Sequence, residues 1–341
     1  MSERIDEAAA ASRLMDMTIA HWAGELLLQA AEMSLADKFS GDAPRSAADL
    51  AAEYGMLPRP MHRFLRALTG LDLLASAGNG SFRLTDLGAA LRTGAHGASL
   101  SAVIALIGDM VKRAWKEFDH GLFTGDTGFE KAHGMGLFQY LQHNPGMAQF
   151  FSETMVGFHG REPPAVAEAY DFAGIGSLVD VGGASGNMLG HVLSRHPGVK
   201  GVLYDLPHVV ADAPALLAAH GVADRVEILS GSFFDGVPKG HDAYLLSHII
   251  HDWDDGENAP ILRNVREAMN PGGKLLIVEM VLPEGDEPHM GKMLDMRMML
   301  VPGGEERTPS EYAALLEPNG FRVERVVPTA SAVSVVEAVR A

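Results

Sequence analysis

The hydrophobic pattern changes character halfway along the chain. The first half reads helical. Ala, Leu and Met crowd residues 17–36 and predict a helix there. Ser46 can cap a short helix running through Ala52, and an amphipathic pattern over 59–74 predicts a longer one. Ser76-Ala77-Gly78-Asn79-Gly80-Ser81-Phe82-Arg83-Leu84-Thr85 then reads as a turn between two short extended pieces. Helix, helix, hairpin is a winged-helix pattern. Further helical segments run to about Tyr170.

The second half alternates. Strands are predicted at 178–181, 201–204, 226–229, 243–249 and 274–280, with helices near 187–195, 208–219 and 257–269. Such alternation argues a parallel sheet with helices on both faces. The last two candidate strands, 321–327 and 332–338, are joined by a short Pro-containing link and read as an antiparallel hairpin on the sheet's edge. The expected fold class is therefore α/β: a Rossmann-like, mostly parallel sheet with an antiparallel last strand, behind a helical winged-helix N-terminal domain. The division is read as 1–100 and 101–341, the latter helical over 101–170 and sheet-bearing over 171–341. No long repeat or low-complexity linker is visible.

Composition narrows the partners. The chain has 341 residues, 47% of them hydrophobic, enough for two domains with a sizeable core. It has no cysteine, which excludes disulfides, thiolate metal sites and cysteine nucleophiles and fits a reducing cytoplasm. The N-terminus carries acids and no basic stretch followed by an apolar core, so no signal peptide is expected. No apolar run reaches the ~18 residues of a membrane span. The net charge of −17 opposes nucleic acid and anionic lipid, and points to a small neutral or weakly polar partner. Arg59, Arg63 and Arg66 on the presumed recognition helix are the best case for a ligand-sensing transcription regulator, but they make only one helix face in an acidic protein.

Two stretches carry candidate chemistry. Asp180-Val181-Gly182-Gly183-Ala184-Ser185-Gly186 sits where the first strand of the sheet turns into a helix, and glycine there allows close backbone approach to a ligand. Read as a dinucleotide fingerprint from Gly182, it puts Ala184 where pyrophosphate needs the closest approach, which disfavours NAD. Asp205 ends the second strand at a spacing that suits an acid accepting hydrogen bonds from ribose hydroxyls. Ser232 and Phe233 follow the third strand on the same edge, where an aromatic ring can pack against adenine. Ser247-His248-Ile249-Ile250-His251-Asp252-Trp253-Asp254-Asp255 follows the fourth strand. Strand alternation would put His248 and Ile250 on one face and Ile249 and His251 on the other. His251 would then stand at the ligand edge. An imidazole of pKa ~6.5 can take a proton from a phenol of pKa ~10. The acids after it read as a helix N-terminus, and no metal is expected.

Taken together, Asp180-Val181-Gly182-Gly183, Tyr204-Asp205-Leu206-Pro207, His251-Asp252-Trp253, Asn270-Pro271-Gly272-Gly273 and Gly303-Gly304-Glu305-Glu306-Arg307-Thr308 resemble the plant-type small-molecule O-methyltransferases and their bacterial antibiotic-tailoring relatives. The resemblance covers nearly the whole chain. It implies S-adenosylmethionine as methyl donor, S-adenosylhomocysteine as product, and a homodimer built through the N-terminal domain. It implies His251 as general base, flanked by Glu279 and Glu306. Gly182, Gly183, Asp205, Ser232, Phe233 and Ser247 are the positions it places at the cofactor. Ser232 stands where many relatives have Asp, and Ser247 where plant enzymes have Lys. Met155, Phe158, Asp252, Trp253, Met296 and Met299 are the expected acceptor-pocket residues, with Met293 and Met298 on the same helix-like run; thioethers adapt to flat aromatic ligands. The acceptor expected is a hydroxyl of an aromatic or polyketide-like metabolite. N-methylation by the same fold is the alternative.

Overall fold

The computed structural model describes residues 6–93 and 100–341, apart from the side chains at 102, 106, 107, 109, 152, 153 and 156–158. A 26-residue helix, Glu7–Glu32, comes first; Asp6 caps it by accepting the Ala9 N–H at 2.8 Å. It starts well before residue 17 because Ala and Glu carry it there. It stops before 36 because Ser34 takes a left-handed conformation, φ 48°. The winged-helix pattern follows: β1 (Arg45–Ser46), the helix Ala47–Glu53 capped by the Ser46 hydroxyl, the helix Pro58–Thr69, then β2 (Leu74–Gly78) and β3 (Ser81–Leu84). The amphipathic pattern over 59–74 outruns its helix, since Leu73 and Leu74 are buried on behalf of β2. Leu50, Met61, Leu65, Leu68 and Phe82 form the small core.

The chain groups into two compact units. The first holds the residues up to Lys112 with Gln149–Phe158; the second holds Arg113–Ala148 with His159–Ala341. The helical stretch 101–170 is thus shared between them.

In the second unit, β4 (Ser177–Val181), β5 (Lys200–Asp205), β6 (Val226–Ser230), β7 (His241–Ser247), β8 (Met269–Glu279), β9 (Phe321–Pro328) and β10 (Ser334–Arg340) form one sheet in the order β6-β5-β4-β7-β8-β10-β9. The pairs from β6 to β8 are parallel, and β10 runs antiparallel to both neighbours. Leu178 and Leu245 pack on one face; Val179, Val181, Tyr244 and Leu246 pack on the other. Both faces are dry, which is why these strands read as continuous apolar runs. The helix Asn187–Arg195 covers the first face and Asp255–Ala268 the second. Winding reverses between β4 and β7, so the carboxyl ends of these strands open a crevice of the kind that holds ligands. β7 stops at Ser247, short of 249, and β8 begins at Met269, taking in Asn270-Pro271-Gly272-Gly273.

Candidate active site

The loop after β4 is built around left-handed backbone: Gly182 at φ 70°, Ala184 at 49° and Gly186 at 80°. A side chain at Gly182 would begin 2.4 Å from Ile249 Cδ1, and one at Gly183 would begin 2.6 Å from Asp180 Oδ2. The protein's own packing therefore demands these glycines, beyond any ligand. Asp180 is buried with both carboxylate oxygens unpartnered, and desolvation with Asp205 nearby pushes it up to about 7. Asp205 ends β5; its Oδ2 accepts the Ala184 N–H at 2.9 Å and its Oδ1 the Leu206 N–H at 2.6 Å. A carboxylate offers about four acceptor positions, so half of its capacity remains. The Phe233 ring lies beside the loop, 3.5 Å from where a Gly182 side chain would start. Asn264 pins that segment by donating to the Phe233 and Phe234 carbonyls, 2.9 Å each. Ser232 turns its hydroxyl back to the Phe234 N–H at 3.3 Å. Ser247 closes β7 in register with Val278 of β8.

His248 and His251 do not lie on opposite faces. The strand has ended, His248 is left-handed at φ 55°, and Ile250–Asp252 form a 3-10 turn. The two rings stand side by side, 5.0 Å between centroids. The acids expected around His251 divide their tasks. Glu306 Oε1 meets the ring at Nδ1, 2.7 Å away. Glu279 Oε1 instead accepts the His251 backbone N–H at 3.0 Å, and the Tyr312 hydroxyl donates to its other oxygen. Glu279 therefore fixes the main chain and Glu306 the imidazole. Glu306 is itself positioned by its N–H donating to Asp295 Oδ1 at 2.9 Å. Beside it the buried Arg307 bridges Asp255 and Glu305, both at 2.8 Å. Gly304 lets this loop lie against the His251 turn, since a Cβ there would be 2.0 Å from the His251 carbonyl oxygen. Asn258 secures the turn by donating to the carbonyls of Ile250 and Trp253, 2.9 Å each.

Burial sets the electrostatics. Desolvation lowers the His251 imidazole to about 4, against the pull of Glu279, so the ring is neutral at neutral pH. Desolvation, with Asp295 adding, raises Glu306 to about 8, and its Oε2 is buried without a partner. Asp252 is likewise raised to about 8 by burial; its Oδ1 is 3.7 Å from His251 Nε2, beyond hydrogen bonding. Among the described residues Nε2 makes no hydrogen bond, and it is not sealed from solvent.

A second imidazole cluster adjoins the first. His159 Nδ1 and His248 Nε2 both bond Glu162 Oε2, at 2.9 and 2.7 Å. Three such groups could ligate a cation. The carboxylate oxygen already accepts from both rings, which holds Glu162 down near 2 despite its burial.

Of the expected pocket residues, Trp253 stacks on Phe138 at 4.8 Å and meets the edge of Phe234 at 4.9 Å. Met296 and Met299 are half-buried on the helix Gly291–Leu300, Met298 is buried, and Met293 is 65% exposed and no wall at all. Met155 is half-buried within the first unit. The side chain of Phe158 lies outside the described residues. Tyr312, Asn258, Glu162 and the linking role of Arg307 escaped the sequence reading; each acts across 5 to 86 positions of chain with no local spacing signal.

Residues 115–322 match the model of the O-methyltransferase domain, and residues 15–94 that of the O-methyltransferase dimerisation domain. The chain belongs to this O-methyltransferase family. A phenazine O-methyltransferase of Lysobacter antibioticus is 40% identical over 96% of this chain and 95% of its own length. An O-demethylpuromycin-O-methyltransferase of Streptomyces alboniger is 38% identical over 95% of this chain and 87% of its own. The crystal structure of an O-methyltransferase from neocarzinostatin biosynthesis, in complex with S-adenosylmethionine and 2-hydroxy-5-methyl naphthoic acid, matches with a TM-score of 0.82 at 31% identity, covering 94% of this chain and 96% of that one. The resemblance read from the motifs holds: this is an S-adenosylmethionine-dependent O-methyltransferase. The residues present fit that group. Asp180 has a buried carboxyl whose oxygens make no full hydrogen bond among the described residues, Asp205 has spare acceptor capacity for hydroxyls, and Phe233 offers a ring beside the loop. When bound, the group supplies an electrophilic sulfonium methyl.

Proposed function

We propose that the chain methylates a hydroxyl of a small aromatic or polyketide-like metabolite, with His251 as the base. One observation carries this: a neutral, buried imidazole clamped through Nδ1 and leaving Nε2 unbonded. With Glu306 ionised, Nδ1 donates to it and Nε2 presents a lone pair to the acceptor hydroxyl. Glu279 and Tyr312 keep the turn still, and Asp205 with Gly182 and Gly183 hold the donor across the crevice. Phe233, Ser232 and Ser247 line that side; Asp252, Trp253, Met296 and Met299 form the acceptor side. Alignment in a largely dry site supplies much of the acceleration. The phenazine enzyme and the naphthoic acid complex support a flat aromatic acceptor. Methyl-labelled donor incubated with protein and a metabolite extract should give a labelled aryl ether by mass spectrometry. Asp205→Ala should weaken S-adenosylhomocysteine binding by roughly 1–3 kcal/mol in calorimetry. Label appearing on nitrogen only, or not at all, refutes the reading.

The working form is proposed to be a homodimer in the reducing cytoplasm. Leu14, Met15, Met17, Ile19 and Trp22 are all exposed on the first helix, an apolar set that an isolated chain leaves in water. The dimerisation-domain match covers the same segment. Light scattering at micromolar concentration should give twice the chain mass, and a monomer mass would exclude the dimer. Among the described residues no helix is long and apolar enough to cross a membrane.

A further inference from the structure

The helix Gly291–Leu300 carries a charged residue that neither gives nor takes the proton. Arg297 stands between Met296 and Met298, only partly exposed, on the helix whose Asp295 accepts the Glu306 N–H at 2.9 Å, and Glu306 in turn holds the His251 ring. Among the described residues no carboxylate oxygen comes within 4.0 Å of its guanidinium. Among the described residues its polar contact is Nη1 on the Met298 sulfur at 3.9 Å. Arg307 shows how this protein satisfies a guanidinium: two carboxylates at 2.8 Å and the Ile250 carbonyl at 3.5 Å. The Arg297 side chain is neither fully buried nor fully exposed.

A sheltered guanidinium without an acid partner costs free energy that an incoming carboxylate recovers. Its planar fork matches a carboxylate through two parallel N–H···O bonds. The thioethers of Met296 and Met299 on the same helix suit a flat ring. Asp252 and Glu306 are the nearby acids, and among the described residues neither brings a carboxylate oxygen within 4.0 Å of the guanidinium. The net charge of −17 disfavours anions at long range, but screening over a Debye length of ~8 Å leaves the choice to the local guanidinium.

We propose that Arg297 is the anion-binding residue of the acceptor site, and that the acceptor is an aromatic hydroxy acid whose carboxylate pairs with Arg297 while its hydroxyl faces His251 Nε2. This rests on the reading of His251 as the base at the acceptor hydroxyl. In the transfer, the hydroxyl proton goes to Nε2, oxygen bonds to the methyl carbon, and the methyl–sulfur bond breaks with its electron pair staying on sulfur. The carboxylate takes no part in that exchange; it fixes which hydroxyl of the ring meets Nε2.

Calorimetry on the enzyme loaded with S-adenosylhomocysteine tests this, using hydroxybenzoic and hydroxynaphthoic acids, each beside its carboxamide. At least one acid should bind about 10–100-fold tighter than its amide. Arg297→Met should erase that preference, Arg297→Lys should retain part of it, and S-adenosylhomocysteine affinity should not move in either. Equal binding of acid and amide, no binding of any acid at millimolar concentration, or an acid preference that survives in Arg297→Met overturns the assignment. Methyl transfer to the same acids is followed in parallel. Acid-selective binding that depends on Arg297 but yields no ether upholds the anion site and counts against the base reading alone.

Discussion

His251→Ala should lower methyl transfer by ~10²–10⁴-fold, the usual worth of a positioned general base, with S-adenosylhomocysteine affinity close to that of the native enzyme. The two effects should separate because the residues proposed to hold the donor lie at the ends of β4 and β5, whereas His251 sits in the turn after β7. The cavity should not unfold the protein. Removing the ring leaves Glu306 without its Nδ1 partner, but burial already raises that carboxyl to about 8, so it takes up a proton instead of remaining a bare buried charge. Calorimetry with S-adenosylhomocysteine reports whether the donor side is intact. A more acidic phenol should partly rescue the variant, because it ionises without help. Near-normal turnover by His251→Ala on a weakly acidic hydroxyl would show that positioning alone drives the reaction.

The rate of transfer should rise with pH to a plateau, with its midpoint near 8 and not at the ~6.5 of a free imidazole. Below the midpoint Glu306 is protonated and donates to Nδ1; the ring's own proton then sits on Nε2, and no lone pair faces the acceptor. Above it the carboxylate accepts Nδ1–H and Nε2 is free. The imidazole itself stays neutral throughout, since burial lowers it to about 4. Other charges around the pair act on the midpoint: Glu279 and Asp295 favour the protonated form, Arg297, Arg307 and His159 disfavour it, and Asp252 lies on the Nε2 side. At pH 6.5 the native enzyme should run ~30-fold below its plateau, as the fraction of ionised Glu306 dictates. Glu306→Gln cannot titrate, and its amide oxygen can accept Nδ1–H at any pH. Its profile should therefore lose the rise near 8, with a plateau ~10-fold lower because the imidazolium formed during transfer lacks a counter-charge. An unchanged profile in Glu306→Gln would move the titration to the acceptor or to another group.

Much of this site was legible in one dimension. Buried parallel strands are continuous apolar runs, so β4, β5 and β7 stood out, and the residues that end them fall at one edge by the geometry of a parallel sheet. Asp205, the glycine loop and His251 could be placed there before any contact was known. β1, with two residues, is too short to show a period and was invisible; it exists because β3 offers it a partner. The extent of the amphipathic pattern over 59–74 misled for a related reason: burial of Leu73 and Leu74 belongs to the strand that follows.

What the tertiary structure alone decided is how side chains from distant segments meet. Alternation assigned His248 and His251 to opposite faces; a left-handed residue and a 3-10 turn put their rings together. Glu279 and Glu306 looked equivalent beside His251, yet one holds a backbone N–H and the other the ring, because Glu279 ends β8 next to β7 while Glu306 arrives on a loop that Gly304 allows to touch the turn. Arg307 and Arg297, ten positions apart, are chemically identical in the sequence. Among the described residues, one has two carboxylates within 4.0 Å and the other has none that close. Composition and periodicity report which surfaces must be covered, since burial of apolar area is non-directional. Hydrogen bonds and ion pairs are directional and short-ranged, so their partners exist only once the chain has closed on itself.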